Sequence, residues 1–233
     1  MPNLIRYIAQ EDPEQETIKT ERADPGSALF ALQKTHSSVP AVKDDSDRDI
    51  RERMYSVIKK FEDYKEFPYR DSEGNITVGI GANVHNLNKF MNIDWIDEQG
   101  NRIRSSQAAR HYQDLLKLPG NNYVADYYKD KTPLRISEET GRRLYDEHIN
   151  DDLKVLRNTF ANFDKFPPQM QNVLLDIKYN TGNVKQEKWP NLHEAIANRN
   201  LEGIIKNVHR KKVGADRNQW AIDELRKIEN LDY

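Results

Sequence analysis

The chain of 233 residues has no cysteine, which removes disulfide frameworks, thiol nucleophiles and cysteine-ligated metal sites at once and leaves the redox compartment open. It lacks a strong net charge. The 36 Lys and Arg nearly balance the 38 Asp and Glu, so no field over the whole molecule advertises nucleic acid or an anionic membrane, and any polyanion binding must be local. Long hydrophobic runs are missing too: nowhere do about 18 uncharged apolar residues follow one another. Met1-Pro2-Asn3-Leu4-Ile5-Arg6 is no charged leader before an apolar core. These absences predict a soluble chain with no export signal of its own and no stable membrane insertion. No internal repeat recurs at the usual periods. The aliphatic and aromatic content that remains can support one large domain or two small ones.

Residues 1–45 differ from the rest. They carry Glu11-Asp12-Pro13, Asp24-Pro25-Gly26 and Ser37-Ser38-Val39-Pro40, and residues 1–49 hold six basic against ten acidic side chains. Such a segment suits a linker or a docking arm to a partner, with one short apolar stretch at Ala28–Leu32. From residue 46 the pattern is that of a folded domain running to 233. Ile50, Met54, Val57, Ile58 and Phe61 recur at helical steps after a Ser46/Asp47 cap, and this helix is expected to end near Glu62. Phe67–Asp71 and Ile76–Gly81 then flank Ser72-Glu73-Gly74-Asn75, which predicts a β-hairpin. A second hairpin is expected from Ile93–Ile96 and Arg102-Ile103 around Asp97–Asn101, and Ser105 is placed as the cap of a helix through Leu116. Helices are expected from Ile136-Ser137-Glu138-Glu139, from Pro167-Pro168, and over Leu192–Ala197, Leu201–Val208 and Trp220–Ile228. The fold class is α+β, with a small N-terminal lobe carrying the hairpin and a mainly helical C-terminal lobe.

Chemistry concentrates at the hairpin. Acid–base cleavage of a glycosidic bond needs one protonated carboxyl to donate to the leaving oxygen and one carboxylate to activate water. Glu62 closes an amphipathic helix beside Phe61 and Tyr64, where the macrodipole and apolar neighbours both favour the neutral acid. Asp71 lies at the rim of the hairpin among loop amides. Thr77 alternates with Ile76 and Val78, so its hydroxyl is expected to face a cleft and hold water. The plain alternative stands beside this one: a Glu at a helix end is usually solvated, an Asp before Ser-Glu-Gly usually forms a turn, and a strand Thr is usually only that.

The segment Glu62–Gly81 closely resembles the active-site hairpin of the T-even phage lysozyme family, glycoside hydrolase family 24. In that family a Glu is followed nine positions on by an Asp and six further on by a Thr, and an apolar-Gly-apolar-Gly tail closes the motif. All four parts stand here in register. Ile136–Asp151 is similar to the start of the family's long connecting helix, and Tyr179-Asn180-Thr181-Gly182 to its aromatic-polar-x-Gly motif. Trp189–Leu192 and Asp216-Arg217-Asn218 resemble later motifs of its C-terminal lobe. The resemblance covers residues 50–233 and implies a lysozyme-like fold and a muramidase acting on bacterial peptidoglycan. It implies Glu62 as general acid, Asp71 as the carboxylate directing water, Thr77 as its hydroxyl partner, and Glu73, Gly81, Tyr179, Asn180 and Arg217 as substrate-binding positions. It further implies hydrolysis with inversion, no metal or organic cofactor, a monomeric catalytic domain, and a phage endolysin or virion-borne enzyme. Such an enzyme acts on the wall from the host cytoplasm or the particle. Two departures stand out: Ala82 occupies the place of a family His, and the stretch between hairpin and long helix is longer than in compact members.

Other readings are weaker. Gly79-Ile80-Gly81 opens like a dinucleotide fingerprint, but no third glycine follows. His85, His111, His148, His193 and His209 lack metal-ligand spacing. The run His209-Arg210-Lys211-Lys212 reads as a solvated helix end, or as a cluster holding an anionic wall polymer, ahead of nucleic acid. A wall-binding phage protein without turnover, or a lytic transglycosylase, is the rival function. Retention of Glu62 speaks against the first, and of Asp71 with Thr77 against the second.

Overall fold

The chain divides into two units, Met1–Ala41 and Val42–Tyr233. The computed structural model describes residues 45–120 and 123–233. The expected arm, residues 1–45, lies outside the described residues apart from Asp45, which begins a helix.

Helix α1 (Asp45–Glu62) buries Ile50, Met54 and Ile58 at the expected helical steps. It stops where Asp63 turns to a left-handed φ of 51°. The chain then runs through β1 (Lys65–Arg70), β2 (Ile76–Gly79) and a short β3 (Ala82–Asn83), an antiparallel sheet in that order. Tyr69 pairs with Thr77 and Arg70 with Ile76, while the ladder is irregular between Lys65 and Tyr69. Pro68 lies inside that interruption and has no N–H to give to the ladder. The β2–β3 reversal needs positive φ at Gly79 (67°) and Gly81 (76°), which glycine supplies without strain. Sequence alternation leaves β3 unannounced because it is only two residues long.

Next come α2 (Leu87–Met91), β4 (Trp95–Ile96), α3 (Ser105–Lys117), a 3₁₀ turn at Ala125–Lys131 and β5 (Arg135–Ile136). The second hairpin forms: Asp97 N–H donates to Asn101 O at 2.9 Å and Ile103 N–H to Trp95 O at 2.8 Å, bridging Ile96 to Arg102. Asp97 closes the tight turn by accepting the N–H groups of Gln99 and Asn101 (2.9 and 2.8 Å). On its other edge β4 pairs with β5, Trp95 opposite Ile136 and Ile96 opposite Arg135. Arg102 is exposed, whereas Ile136 is buried and extends the apolar face around Trp95. Ser105 does not cap α3. It is the first helical residue, and the Gln107 side chain accepts the N–H of Arg104 before it (3.1 Å).

Helix α4 (Glu138–Thr159) opens on Ser137, whose hydroxyl accepts the Thr140 N–H. It is followed by α5 (Pro168–Thr181), α6 (Pro190–Ala197), α7 (Leu201–Asn207) and α8 (Ala215–Leu225). Two apolar cores result. One gathers Phe67, Ile76, Val78, Phe90, Trp95, Leu115 and Tyr128 around the sheets. The other joins α1, α4, α5 and α8 through Met54, Ile58, Leu153, Leu156, Leu174 and Leu225. Helix α4 runs through both, giving Leu144 to the first and Tyr145, Ile149 and Leu153 to the second. The architecture is α+β and mostly helical. Among the described residues no helix is long and apolar enough to cross a membrane.

Candidate active site

Asp71 is the most fully specified side chain of the site. The turn after β1 closes on itself, Asp71 N–H to Asn75 O at 2.9 Å and Gly74 N–H to Asp71 O at 3.0 Å. This brings the amides of Glu73 and Asn75 onto one carboxylate oxygen, Oδ1, at 2.9 Å each. The other oxygen, Oδ2, accepts the Thr77 hydroxyl at 3.2 Å. The sequence spacing works because a five-residue turn returns the chain onto β2, so that Thr77 comes back beside the rim of the hairpin.

Thr77 is buried, with 4% of its surface exposed, rather than facing an open cleft. All four residues of β2 are covered, because Ile76 and Val78 enter the sheet-side core while Thr77 is flanked by Tyr69 and Asn83. Its donor is therefore committed to Asp71, and only its lone pairs are left to offer to water.

Glu62 sits at the junction where α1 gives way to the sheet. Its Oε1 accepts a 2.6 Å bond from Arg217 Nη1, an ion pair that reasoning from the helix dipole and aromatic neighbours leaves out. Arg217 is itself buried and also donates Nε and Nη2 to Asp176 Oδ1 at 3.0 and 2.7 Å. Arg210 reaches Asp176 Oδ2 at 2.7 Å. Burial lowers the affinity of both guanidinium groups for their protons; for Arg210 it prevails, whereas for Arg217 the bonds to Asp176 and Glu62 outweigh it and the pKa is raised. Two arginines and two carboxylates thus neutralise one another, as buried charges must. The guanidinium of Arg217 also lies 5.2 Å from the Phe61 ring centroid.

Arg217, placed among substrate-binding positions by resemblance, has these donors occupied by Glu62 and Asp176. The basic run is not uniformly solvated: His209, Lys211 and Lys212 are exposed, but Arg210 turns into the interior because Asp176 is there.

Burial, followed by the charges of Asp71 and Glu62, pushes the Tyr69 phenol up to about 12. Tyr179 is raised by burial and then by Glu62. Its hydroxyl donates to the Ile80 carbonyl, tying α5 to the hairpin beside Gly81, and His148 lies against its ring at 4.6 Å. Tyr179 and Gly81 are thereby brought together. Glu73 and Asn180 are exposed; Glu73 accepts from Asn75 Nδ2 at 3.4 Å, and among the described residues no hydrogen bond ties Asn180 to a carboxylate. No group of three or more His, Cys, Asp or Glu among the described residues is arranged to hold a metal ion.

Sequence reasoning missed Tyr69 and Asp176, and read Arg210 only as part of a solvated or polymer-holding basic run. Tyr69 carried a usable signal, since it is two residues before Asp71 on one strand face. Asp176 stands in the run Met170–Ile177 of α5, which is buried on every face, and an acid there announces a buried cation. No family model, curated protein or solved structure matches this chain.

Proposed function

We propose that residues 46–233 form a lysozyme-like muramidase, hydrolysing the β-1,4 bond between N-acetylmuramic acid and N-acetylglucosamine in bacterial peptidoglycan. The observation that carries this reading is the Asp71 carboxylate, oriented by two amides and the Thr77 hydroxyl. A surface turn needs the two amides; it does not need a buried hydroxyl aimed at the remaining oxygen, nor a second carboxylate clamped by a buried arginine. The two-core architecture with one helix running through both also suits a cleft between lobes.

In the mechanism this supports, the proton that Glu62 carries in the reacting complex passes to the glycosidic oxygen as the C1–O bond breaks, and Arg217 pairs with the carboxylate that is left. Asp71 takes a proton from a water whose oxygen bonds to C1 on the opposite face, through Oδ2, which carries only the Thr77 hydroxyl while the two amides occupy Oδ1. The products leave Asp71 protonated and Glu62 ionised, and exchange with solvent resets both. Inversion follows from water attacking directly. The natural setting consistent with this activity is a phage endolysin or particle-borne lysozyme.

Anomer-resolved NMR of fresh product from soluble peptidoglycan fragments tests the proposal. An inverted reducing end is expected. A retained configuration or an anhydro-sugar product rejects this mechanism, and the absence of any cleavage by the full chain rejects the function.

A further inference from the structure

We propose that Arg70 is a positioning residue for the reaction, fastening the turn that carries Asp71 to the C-terminal end of α3. The proposal rests on the reading of Asp71 as the base. The observation behind it is a guanidinium bound to carbonyls of two separate elements. Arg70 Nε donates to Gly74 O at 3.1 Å, inside the Asp71–Asn75 turn. Its Nη1 donates to Leu116 O at 3.3 Å, one of the carbonyls that α3 leaves without helical partners at its end, and to Leu118 O at 2.7 Å, on the extended residue that follows the helix. A cation there also meets the negative end of the helix dipole. None of the acids among the described residues forms a salt bridge with Arg70. Its bonding is directed wholly at backbone.

The seat is built for a flat group. A Cβ on Gly120 would lie 3.0 to 3.2 Å from the Arg70 guanidinium, so the planar group rests against bare backbone. Tyr128, whose hydroxyl donates to Pro119 O, walls the same stretch. Residues 116–120 belong to the long connection between hairpin and α4, so that connection acts as a brace for the catalytic turn. Only a fork with separated donors can hold Gly74 and Leu118 at once; an ammonium keeps the charge and satisfies one side. Because Gly74 lies between the two residues whose amides hold Asp71 Oδ1, freeing Gly74 O loosens the orientation of the base itself. A displacement of about 1 Å in a reacting group is enough to cost up to a hundredfold in rate.

The test compares wild type, Arg70→Lys and Arg70→Met in the full chain by amide hydrogen exchange and by steady-state hydrolysis of soluble peptidoglycan fragments. Expected in both variants is exchange at Glu73 and Asn75 faster by about tenfold or more, with α4 and α5 unchanged. A kcat lower by about tenfold to a hundredfold and a KM within about twofold are expected with it. Added guanidinium should restore part of kcat to Arg70→Met. Arg70→Lys with wild-type exchange and wild-type kcat overturns the proposal, as does slowed turnover that arises wholly in KM. A wild-type protein that cleaves no peptidoglycan overturns the reading of Asp71 as a base and the catalytic part of this proposal with it, a result distinguishable from the first two by the wild-type control.

Discussion

Asp71 and Thr77 form one functional unit, and the consequences can be separated by substitution. Thr77→Val keeps the shape of the buried strand residue while withdrawing the hydroxyl from Asp71 Oδ2. A hydrogen bond to a charged group is worth about 1.5–3 kcal/mol, so kcat should fall by about tenfold to a hundredfold while circular dichroism stays that of the wild type. A Thr77→Val enzyme with undiminished kcat would remove the hydroxyl from the mechanism. Glu62→Gln removes the donated proton and should cost about 10²–10⁴-fold in activity. Because the amide oxygen can still accept from Arg217, the fold should survive, as a urea titration would reveal.

At the level of elements, the junction of α1, α5 and α8 depends on charge pairing rather than on apolar contact alone. Asp176 on α5 has no exposed surface and is held by arginines at 210 and 217. Removing one partner of a buried pair costs about 3–5 kcal/mol. Arg217→Met should therefore lower stability by an amount of that order as well as releasing Glu62. The double variant Arg217→Met with Glu62→Gln should recover part of the loss, because Arg210 and Asp176 remain a pair, and a single variant as stable as wild type would show that Arg210 alone neutralises Asp176.

A second test lies in α4. An alanine Cβ at Gly141 would fall 2.7 Å from Tyr64 Oη and 2.9 Å from its Cε2. Overpacking of about 1–3 kcal/mol should then outweigh the roughly 1 kcal/mol that alanine gains over glycine inside a helix. Gly141→Ala is expected to be less stable in urea. A more stable variant would mean that the Tyr64 ring swings aside.

For the whole molecule, the buried tyrosines set an alkaline limit. Tyr64 and Tyr69 are pushed up to about 12 from an ordinary 10.0, first by burial and then by neighbouring charges, and Tyr145 and Tyr179 are raised as well. The folded state holds these phenolic protons more tightly than the unfolded chain does. Stability from this source is therefore complete below the unfolded value and is lost as pH rises through the folded one. Denaturation midpoints followed together with tyrosinate absorbance should stay level up to about pH 10 and fall toward about pH 12. Free titration of all tyrosines near their ordinary value in the folded protein would contradict the burial on which this rests.

The catalytic reading also places every site residue in the second unit, Val42–Tyr233. Removal of residues 1–41 should leave hydrolysis of soluble fragments within about twofold. A truncated protein that folds but cannot cleave them would put the first unit in the site.

Local order in the chain determined a good deal of this. Helical spacing located α1, the cap at Ser137 fixed the start of α4, and Pro167-Pro168 fixed that of α5. The run from Glu62 to Gly81 placed a helix end, a turn and a returning strand in order, which is enough to align Asp71 with Thr77, because all those constraints act within about twenty residues. What pairs over longer range was not legible. The addition of Ile136 beside Trp95, on the edge of β4 away from Arg102-Ile103, was decided by which segment could complete an apolar face. The partners of Glu62, Asp176 and Arg70 lie 155, 41 and 48 residues away in the chain. A charge looks the same in sequence whether it is solvated or clamped. Only folding desolvates it and makes the pairing compulsory, and for that reason the tertiary structure, not the motif, decided what holds the carboxylates in place.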